Sequence, residues 1–244
     1  MHRSRSRGRL GPSSFFPPAE SAPHSGLIGV GGELTSEWIL DAYRHGIFPW
    51  PFADGELAWW SPDPRAVIEL DGLHVPRRLA RTCRSGRFLV TCDRDFEGVI
   101  DGCATAGDRQ GQTWITPAMR HAYVTLHREG HVHSVEAWHD GKLAGGTYGL
   151  GIGGLFAAES MFYRVSEASK VALVYLVEHL RARGYRLLDI QQLTPHTARF
   201  GAVEITRREY LRRLAAALEL PVTFGSGLAL RGKADWRSDG GTPT

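Results

Sequence analysis

Residues 133–192 contain the pattern that decides the fold: HSVEAWHDGKLAGGTYGLGIGGLFAAESMFYRVSEASKVALVYLVEHLRARGYRLLDIQQ. Up to residue 160, apolar positions alternate and are broken by turn glycines and the Asp140-Gly141 pair, which predicts a β-meander. Residues 168–183 then have apolar positions at helical spacing and end at Gly184, which predicts a long helix. A further strand is predicted in YRLLDIQQ. This order favours an α/β fold of the mixed or α+β kind, with the functional site near the strand ends.

Shorter helices are predicted on both sides of this stretch. Thr35 or Ser36 can cap a helix that stops at Gly46, and Thr116 can cap another that stops at Gly130. Helices are also predicted within the segments 75–86 and 93–106, with a strand between them. A last helix is predicted in TRREYLRRLAAAL, where Thr206 and Glu209 have the spacing of a capping box.

Composition divides the chain into four parts. Residues 1–25 are basic and rich in Pro and Ser, and we expect a disordered tail there. A small N-terminal domain is expected over 26–90, a larger domain over 91–220 and a second tail over 221–244. With 244 residues, of which 42% are hydrophobic and 23% charged, the chain is long enough to bury a core.

The charge of the chain is concentrated at its N-terminus. The formal net charge is +3, and residues 1–25 account for it with four arginines and one glutamate. The rest carries 25 basic and 25 acidic residues, which argues against a nonspecific nucleic-acid coat protein. Any RNA contact must therefore come from a local cluster. The best candidate is the predicted basic helix with Arg77, Arg78, Arg81 and Arg84, although a solvated helix face is the alternative.

Cysteine content and hydropathy bear on the cellular compartment. Cys83, Cys92 and Cys103 form no CxxC pair and leave one thiol unmatched, which is typical of reduced cysteines. No apolar run approaches the ~20 residues of a membrane helix. The N-terminal arginines are followed by Gly, Pro and Ser instead of the hydrophobic segment of a signal peptide. We expect a cytoplasmic protein with no membrane contact.

Polar residues in two predicted strands are candidates for catalysis. In LFAAESMF, Glu159 would share a strand face with Leu155 and Ala157, where a carboxylate is costly unless it is paired or used. In LLDIQQ, Asp189 and Gln191 would project to one face and could address one substrate atom together. A salt bridge for Glu159 and a solvated strand edge for the other pair are the alternatives that periodicity leaves open.

Other motifs indicate stacking or can be set aside. Trp59, Trp60 and Trp114 lie in turn-rich segments or just before a helix, where an indole could offer a face to a nucleobase or could pack in the core. The GLGIGG stretch from Gly149 matches a dinucleotide-binding pattern but lies in the meander, so we interpret it as a hairpin turn. His131 and His133 have no further residues at ligand spacing, so no metal site is expected.

Over roughly residues 26–216, the chain resembles the leucyl/phenylalanyl-tRNA-protein transferase family in nine sequence motifs that occur in the same order. They are GLIGVGGEL, AYRHGIFPW, WWSPDPRAV, TWIT, LHREGHVHSVEAW, GGTYGLGIGGLFAAESMF, ASK, LLDIQQLTPHT and FGAVEITRREY. The resemblance implies a GCN5-related acyltransferase-like catalytic domain behind a smaller N-terminal domain. It also implies transfer of Leu, Phe or Met from tRNA to proteins with N-terminal Lys or Arg, marking them for N-end rule degradation.

The resemblance also assigns residues. Glu159, Asp189 and Gln191 match the active centre of the family, and Trp59 and Trp114 match aromatics near the tRNA 3′ adenosine. Met161 and Phe162 are expected in the apolar pocket for the transferred side chain. No cofactor is expected, because an aminoacyl ester is already activated and needs only a bound amine and oxyanion support.

Two alternatives make different predictions. An acetyl-CoA N-acetyltransferase would need a glycine-rich diphosphate loop before the long helix, where Glu167 and Ser169 stand instead. A noncatalytic tRNA-binding module would tolerate the loss of Asp189 and Gln191.

Overall fold

A large sheet and a small sheet organise the chain in the computed structural model, which describes residues 10–106 and 113–230. The small antiparallel sheet has the order β1-β3-β2 and consists of β1 (Leu27–Val30), β2 (Phe48–Pro49) and β3 (Ala58–Trp60). The large sheet has the order β10-β4-β9-β8-β7-β6-β5. Its strands are β4 (Arg65–Ile68), β5 (Leu89–Cys92), β6 (Val132–His139), β7 (Lys142–Ile152), β8 (Leu155–Tyr163), β9 (Leu187–Gln191) and β10 (Ala202–Ile205).

Helices pack on both faces of the large sheet, so the protein has a mixed α/β fold. They are α1 (Ser36–Arg44), α2 (Arg77–Arg84), α3 (Phe96–Thr105), α4 (Pro117–Arg128), α5 (Ala168–Arg183), α6 (Pro195–Ala198) and α7 (Arg207–Leu218). Helices α2 and α5 contribute to one hydrophobic core, and α1, α3, α4 and α7 contribute to the other. Within the described residues, no helix is long and apolar enough to cross a membrane.

Most of the predicted helix signals are confirmed. Thr35 and Thr116 cap α1 and α4 by accepting hydrogen bonds from backbone N–H groups, and Gly184 ends α5 in the left-handed conformation. The capping box of α7 is only half formed. Thr206 accepts from the N–H of Glu209, but the Glu209 carboxylate instead pairs with two arginines of the next helical turn.

The predicted domain boundary at residue 90 does not separate the two sheets. Strand β4 precedes that boundary in sequence, yet it lies between β9 and β10 in the large sheet. Strand β5 spans the boundary itself and pairs with β6. The small sheet ends at Trp60, so the chain enters the large sheet far earlier than composition indicates.

Residues 10–25 of the predicted N-terminal tail pack against the rest of the chain, whereas residues 1–9 lie outside the described part. Phe15 stacks on Trp38 at 4.6 Å between ring centroids. The half-buried end of this segment is held by Arg207, whose guanidinium donates to the carbonyl oxygens of Ala19 and Ala22 at 2.8 and 2.9 Å. A pairing that depends on an arginine nearly 190 residues away is not visible in local composition.

Replacing Arg207 with Met should release this N-terminal segment. Carbonyl groups that lose a buried charged donor become unsatisfied, at a cost of about 1–3 kcal/mol. We expect faster hydrogen exchange in residues 10–25 and unchanged exchange in β6 and β7. Arg199→Met, which removes an exposed arginine that does not line the cavity along the N-terminal segment, is the control. Equal exchange in both variants would contradict the assignment.

The first ten residues of the predicted C-terminal tail are also ordered, whereas residues 231–244 lie outside the described part. Phe224 is buried and stacks on His133 at 4.2 Å. His179 of α5 accepts a hydrogen bond from the N–H of Ala229 and donates to the Phe224 carbonyl, each at 2.9 Å. Burial lowers the pKa of His179 to about 4, so the neutral ring keeps both bonds at neutral pH.

Candidate active site

A pocket of about 470 Å³ opens where β8 and β9 stop pairing. These two strands are parallel and pair only from Leu155 to Ala157 on β8 and from Leu187 to Asp189 on β9. Beyond those residues, the last part of each strand and the first turns of α5 form the pocket walls. The volume lies within the roughly 300–1,000 Å³ of small-molecule sites.

Glu159 reaches this pocket because of a β-bulge. Tyr148 and Gly149 of β7 pair with Ser160 and Ala158, which leaves Glu159 as the extra residue on β8. Its carboxylate accepts hydrogen bonds from the hydroxyls of Tyr43 at 2.6 Å and Tyr123 at 3.2 Å. Burial raises the pKa of Glu159 to about 8, despite these two donors. The apolar surroundings therefore favour the protonated form of this carboxyl group.

The two tyrosines fix the orientation of this carboxyl group. Tyr43 lies on α1 and Tyr123 on α4, and their hydroxyl oxygens are 2.8 Å apart. Burial, followed by the nearby Glu159 carboxylate, raises the pKa of both phenols well above the usual value of 10. Both hydroxyls therefore stay protonated and serve as donors.

Asp189, expected among the catalytic residues, does not line the pocket. Its side chain is 0% exposed, and both oxygens are held by Arg65, with Nε–Oδ1 and Nη2–Oδ2 distances of 2.9 and 2.6 Å. The Tyr210 hydroxyl adds a bond of 2.8 Å to Oδ2. The Arg65 guanidinium lies between the rings of Phe48 and Tyr210, 4.6 and 4.5 Å from their centroids. The carboxylate is an internal anchor.

Gln191 does line the pocket, and Asp189 holds its backbone. The N–H of Gln191 donates to Asp189 Oδ1 at 2.9 Å, and the residue has a left-handed φ of +57°. Its side-chain Nε2 lies 3.5 Å from Glu159 Oε1. Ala66 and Val67 of β4 pair with Gln191 and Asp189 of β9, which leaves Ile190 as an extra residue on β9. Ile190 therefore lines the pocket, whereas regular alternation predicts that it points into the core.

A pair of stacked indoles forms one end of the pocket. Trp114 and Trp50 stack at 4.9 Å between ring centroids, and both line the cavity. Trp59 is 1% exposed, and its indole N–H donates to the carbonyl of Gly31 in the core, so it offers no face to a ligand. Sequence reasoning thus missed Trp50. The sequence feature that could have indicated Trp50 is its position after Pro49 at the end of AYRHGIFPW, in a turn-rich segment.

Of the two residues expected in the apolar pocket, Met161 lines the cavity and Phe162 does not. Because neighbouring residues of a strand point to opposite faces, Phe162 is 3% exposed and packs against Gly102 of α3. The wall is completed by apolar side chains that the sequence analysis did not single out: Ile68, Ala158, Leu173 and Ile190.

The four arginines of α2 form an exposed basic surface. Arg77, Arg78, Arg81 and Arg84 are all exposed, while Leu79, Ala80 and Cys83 of the same helix are buried. Within residues 10–106 and 113–230, none of the four is in an ion pair. In the same ranges, no group of three or more His, Cys, Asp or Glu residues has a metal-binding arrangement.

Comparison with known proteins agrees with the resemblance seen in the sequence. Residues 67–215 match the family described as leucyl/phenylalanyl-tRNA protein transferase, and residues 32–63 match its N-terminal domain. A protein named leucyl/phenylalanyl-tRNA–protein transferase from Nitratidesulfovibrio vulgaris is 50% identical over 86% of this chain and 91% of its own length. Proteins of the same name from Chromohalobacter salexigens and Anaeromyxobacter sp. strain K are each 52% identical, over 85% and 89% of this chain and 82% and 94% of their own lengths.

Proposed function

The chain belongs to the leucyl/phenylalanyl-tRNA protein transferase family, and on this premise we propose a reaction for the pocket. In this reaction, the N-terminal α-amine of a protein that begins with Lys or Arg attacks the ester of a tRNA charged with Leu, Phe or Met. The protein is an aminoacyltransferase, and the product is marked for degradation by the N-end rule. The observation that carries the proposal is the bulged Glu159 carboxyl group, with a pKa of about 8, beside the Gln191 amide.

The apolar wall binds the side chain of the transferred amino acid. Met161, Leu173 and Ile190 form an apolar chamber in the pocket. A difference of a methylene or a branch in such a chamber changes binding by only about 1–3 kcal/mol. The mixed use of Leu, Phe and Met follows from this weak discrimination.

The stacked indoles bind the terminal nucleoside of the tRNA. Trp50 and Trp114 offer flat faces at the end of the chamber, and a base that stacks on an aromatic ring gains about 1–3 kcal/mol. A base at this end places its ribose ester over the chamber mouth. The exposed arginines Arg77, Arg78, Arg81 and Arg84 on α2 would then contact phosphates of the same tRNA.

The reaction needs one proton acceptor and one oxyanion donor, and the pocket supplies both. The amine nitrogen attacks the ester carbonyl while Glu159, in its carboxylate form, accepts the amine proton. Gln191 Nε2 donates a hydrogen bond to the oxygen that becomes negatively charged. When the bond from carbon to the ribose oxygen breaks, Glu159 returns the proton to that oxygen and the peptide bond is complete.

Asp189 is a positioning residue in this mechanism. It accepts the hydrogen bond that holds the Gln191 backbone in the left-handed region, which residues other than glycine rarely adopt. Arg65 and Tyr210 fix Asp189 itself through hydrogen bonds to its carboxylate. The side-chain amide of Gln191 is therefore already oriented before the substrate binds. The reaction then needs no reorganisation of this hydrogen-bond donor.

The parallel β8–β9 pair that diverges at the site supports a GCN5-related acyltransferase-like core, but the start of α5 disfavours CoA as the donor. Glu167 precedes that helix with a left-handed φ of +76°, and its carboxylate pairs with Lys170 at 2.9 Å. A carboxylate at this position opposes a diphosphate at the helix N-terminus. The second alternative, a tRNA-binding module, does not account for a half-buried carboxyl group of raised pKa in the pocket.

The proposal is tested by replacing Trp114 with Leu and measuring transfer of labelled leucine from charged tRNA to a protein with N-terminal Arg. Loss of one stacking face should raise the KM for charged tRNA about tenfold, since tenfold corresponds to about 1.4 kcal/mol. Trp138→Leu is the matched control, because its indole is also half-buried but lies on β6 and bonds to Thr91.

The outcome separates the reaction classes. A raised KM for tRNA in Trp114→Leu and a normal KM in Trp138→Leu support the placement of the nucleoside. Transfer of an acetyl group from acetyl-CoA by the wild-type protein, without transfer of leucine from tRNA, would replace the proposal with the N-acetyltransferase alternative. Binding of tRNA with neither transfer would favour the noncatalytic module.

A further inference from the structure

A second pocket of about 360 Å³ adjoins the first and shares two of its walls, Trp50 and Gln192. Its other walls include the rings of Phe52 and Trp60, which meet edge to face at 5.5 Å between centroids. The Trp60 indole N–H donates to the Trp50 carbonyl, which holds the two tryptophans in place. The second pocket is thus an aromatic cavity next to the proposed active site.

The loop that supplies part of this cavity wall also carries two acidic residues. The loop between β2 and β3 carries Asp54 and Glu56, both exposed, next to the wall residues Phe52 and Ala53. Within the described part of the chain, neither carboxylate is in an ion pair, and no Lys, Arg or His lines the cavity. Aromatic faces attract cations, and nearby carboxylates add to the attraction. The same carboxylates would repel a phosphate, which disfavours a further tRNA nucleotide here.

The first pocket differs in the state of its carboxyl group. Glu159 is the one carboxyl group lining it within the described residues, and burial raises the pKa of that group to about 8. Burial favours its protonated form, and it already accepts hydrogen bonds from two tyrosines. A neutral carboxylic acid is a poor partner for a guanidinium or ammonium group.

We propose that the cavity formed by Trp50, Phe52 and Trp60 binds the cationic side chain of the acceptor's N-terminal Lys or Arg and so selects the acceptor. This inference rests on the proposed function. Gln192 follows Gln191 and lines both pockets, so one acceptor residue can present its α-amine at Gln191 and extend its side chain across Gln192. Trp50 then separates the donor nucleoside from the acceptor side chain.

The test uses two peptides that differ only in charge, one with N-terminal Arg and one with N-terminal citrulline. For the wild-type protein, kcat/KM should be higher for the Arg peptide. Phe52→Leu should lower the ratio of the two values about tenfold, the scale of a desolvated cation–π contact. Phe52→Tyr, which keeps the aromatic face, should retain the ratio. Asp54→Asn combined with Glu56→Gln should also lower it, and added salt should reduce the difference between that variant and wild type.

The outcomes distinguish this inference from the proposed function. Equal use of both peptides by wild type, or an equal loss with both peptides in Phe52→Leu, would overturn acceptor selection at this cavity while leucine transfer stands. A raised KM for charged tRNA with an unchanged peptide ratio would assign the cavity to the donor instead. Absence of transfer by wild type to either peptide would refute the proposed function, and this inference with it.

Discussion

Glu159→Gln is expected to lower kcat for leucine transfer by about 10²–10⁴-fold, the usual contribution of a positioned proton acceptor. Glutamine has nearly the same shape and can still accept a hydrogen bond from Tyr43, but it cannot take up the proton that the amine loses. Single-turnover measurement with preformed charged tRNA isolates this step from tRNA binding. The KM for tRNA should change little, because the indole pair is not altered.

Glu136→Gln is the matched control for this experiment. Glu136, which is buried where Glu159 is half-buried, likewise accepts hydrogen bonds from two hydroxyls, those of Thr91 and Ser134, but it lies on β6 and does not line the pocket. A loss of activity in Glu159→Gln alone supports the proton-transfer role. Comparable activity in the two variants would exclude Glu159 as the acceptor of the amine proton.

The raised pKa of Glu159 also predicts how pH changes activity and stability. Wild-type kcat/KM should rise as pH increases through about 8, because only the carboxylate accepts a proton. Stability should change in the opposite sense. Between the ordinary pKa of 4.5 and about 8, the folded state keeps a proton that the unfolded state releases, so the stability from this group falls as pH rises. Glu159→Gln should therefore unfold at a higher temperature than wild type at pH 9, with a smaller difference at pH 5.

Arg65→Met is expected to destabilise the protein by about 3–5 kcal/mol, because it leaves Asp189 charged and unpaired in the interior. Urea unfolding monitored by tryptophan fluorescence measures this loss. The variant should also lose transfer activity in its folded fraction, since the carboxylate that holds Gln191 is no longer fixed.

The double variant Arg65→Met with Asp189→Asn tests the cause. Removing both charges eliminates the uncompensated carboxylate, so the double variant should be more stable than Arg65→Met alone. If the two replacements instead add independently, the instability comes from lost packing of Arg65 between Phe48 and Tyr210, and the ion pair is not its source.

Local signals in the sequence predicted local structure well, because caps, turn glycines and helical periodicity act within a few residues. The helix from 168 to 183 and the caps Thr35 and Thr116 are examples. Site geometry was harder to predict where strands depart from regular alternation. The bulges at Glu159 and Ile190 change which face a side chain occupies, and alternation cannot indicate a bulge.

Long-range partners account for the remaining differences. Asp189 was predicted to face the substrate, yet its partner Arg65 is 124 positions away and no local pattern connects the two. Trp59 and Trp50 lie in the same aromatic segment, and only the pairing of β2 with β3 decides which indole is buried. Order in residues 10–25 likewise depends on Arg207.

The partners of Asp189 determine when the site can assemble during synthesis on the ribosome. Arg65 is made early, but it remains without its carboxylate until β9 has been translated, and the Tyr210 hydroxyl follows another 21 residues later. Strand β4 likewise cannot pair in the sheet until its neighbours β9 and β10 have been synthesised. A nascent chain released before α7 therefore lacks a contact that fixes the anchor of Gln191, so premature termination near residue 205 should yield products without a functional centre.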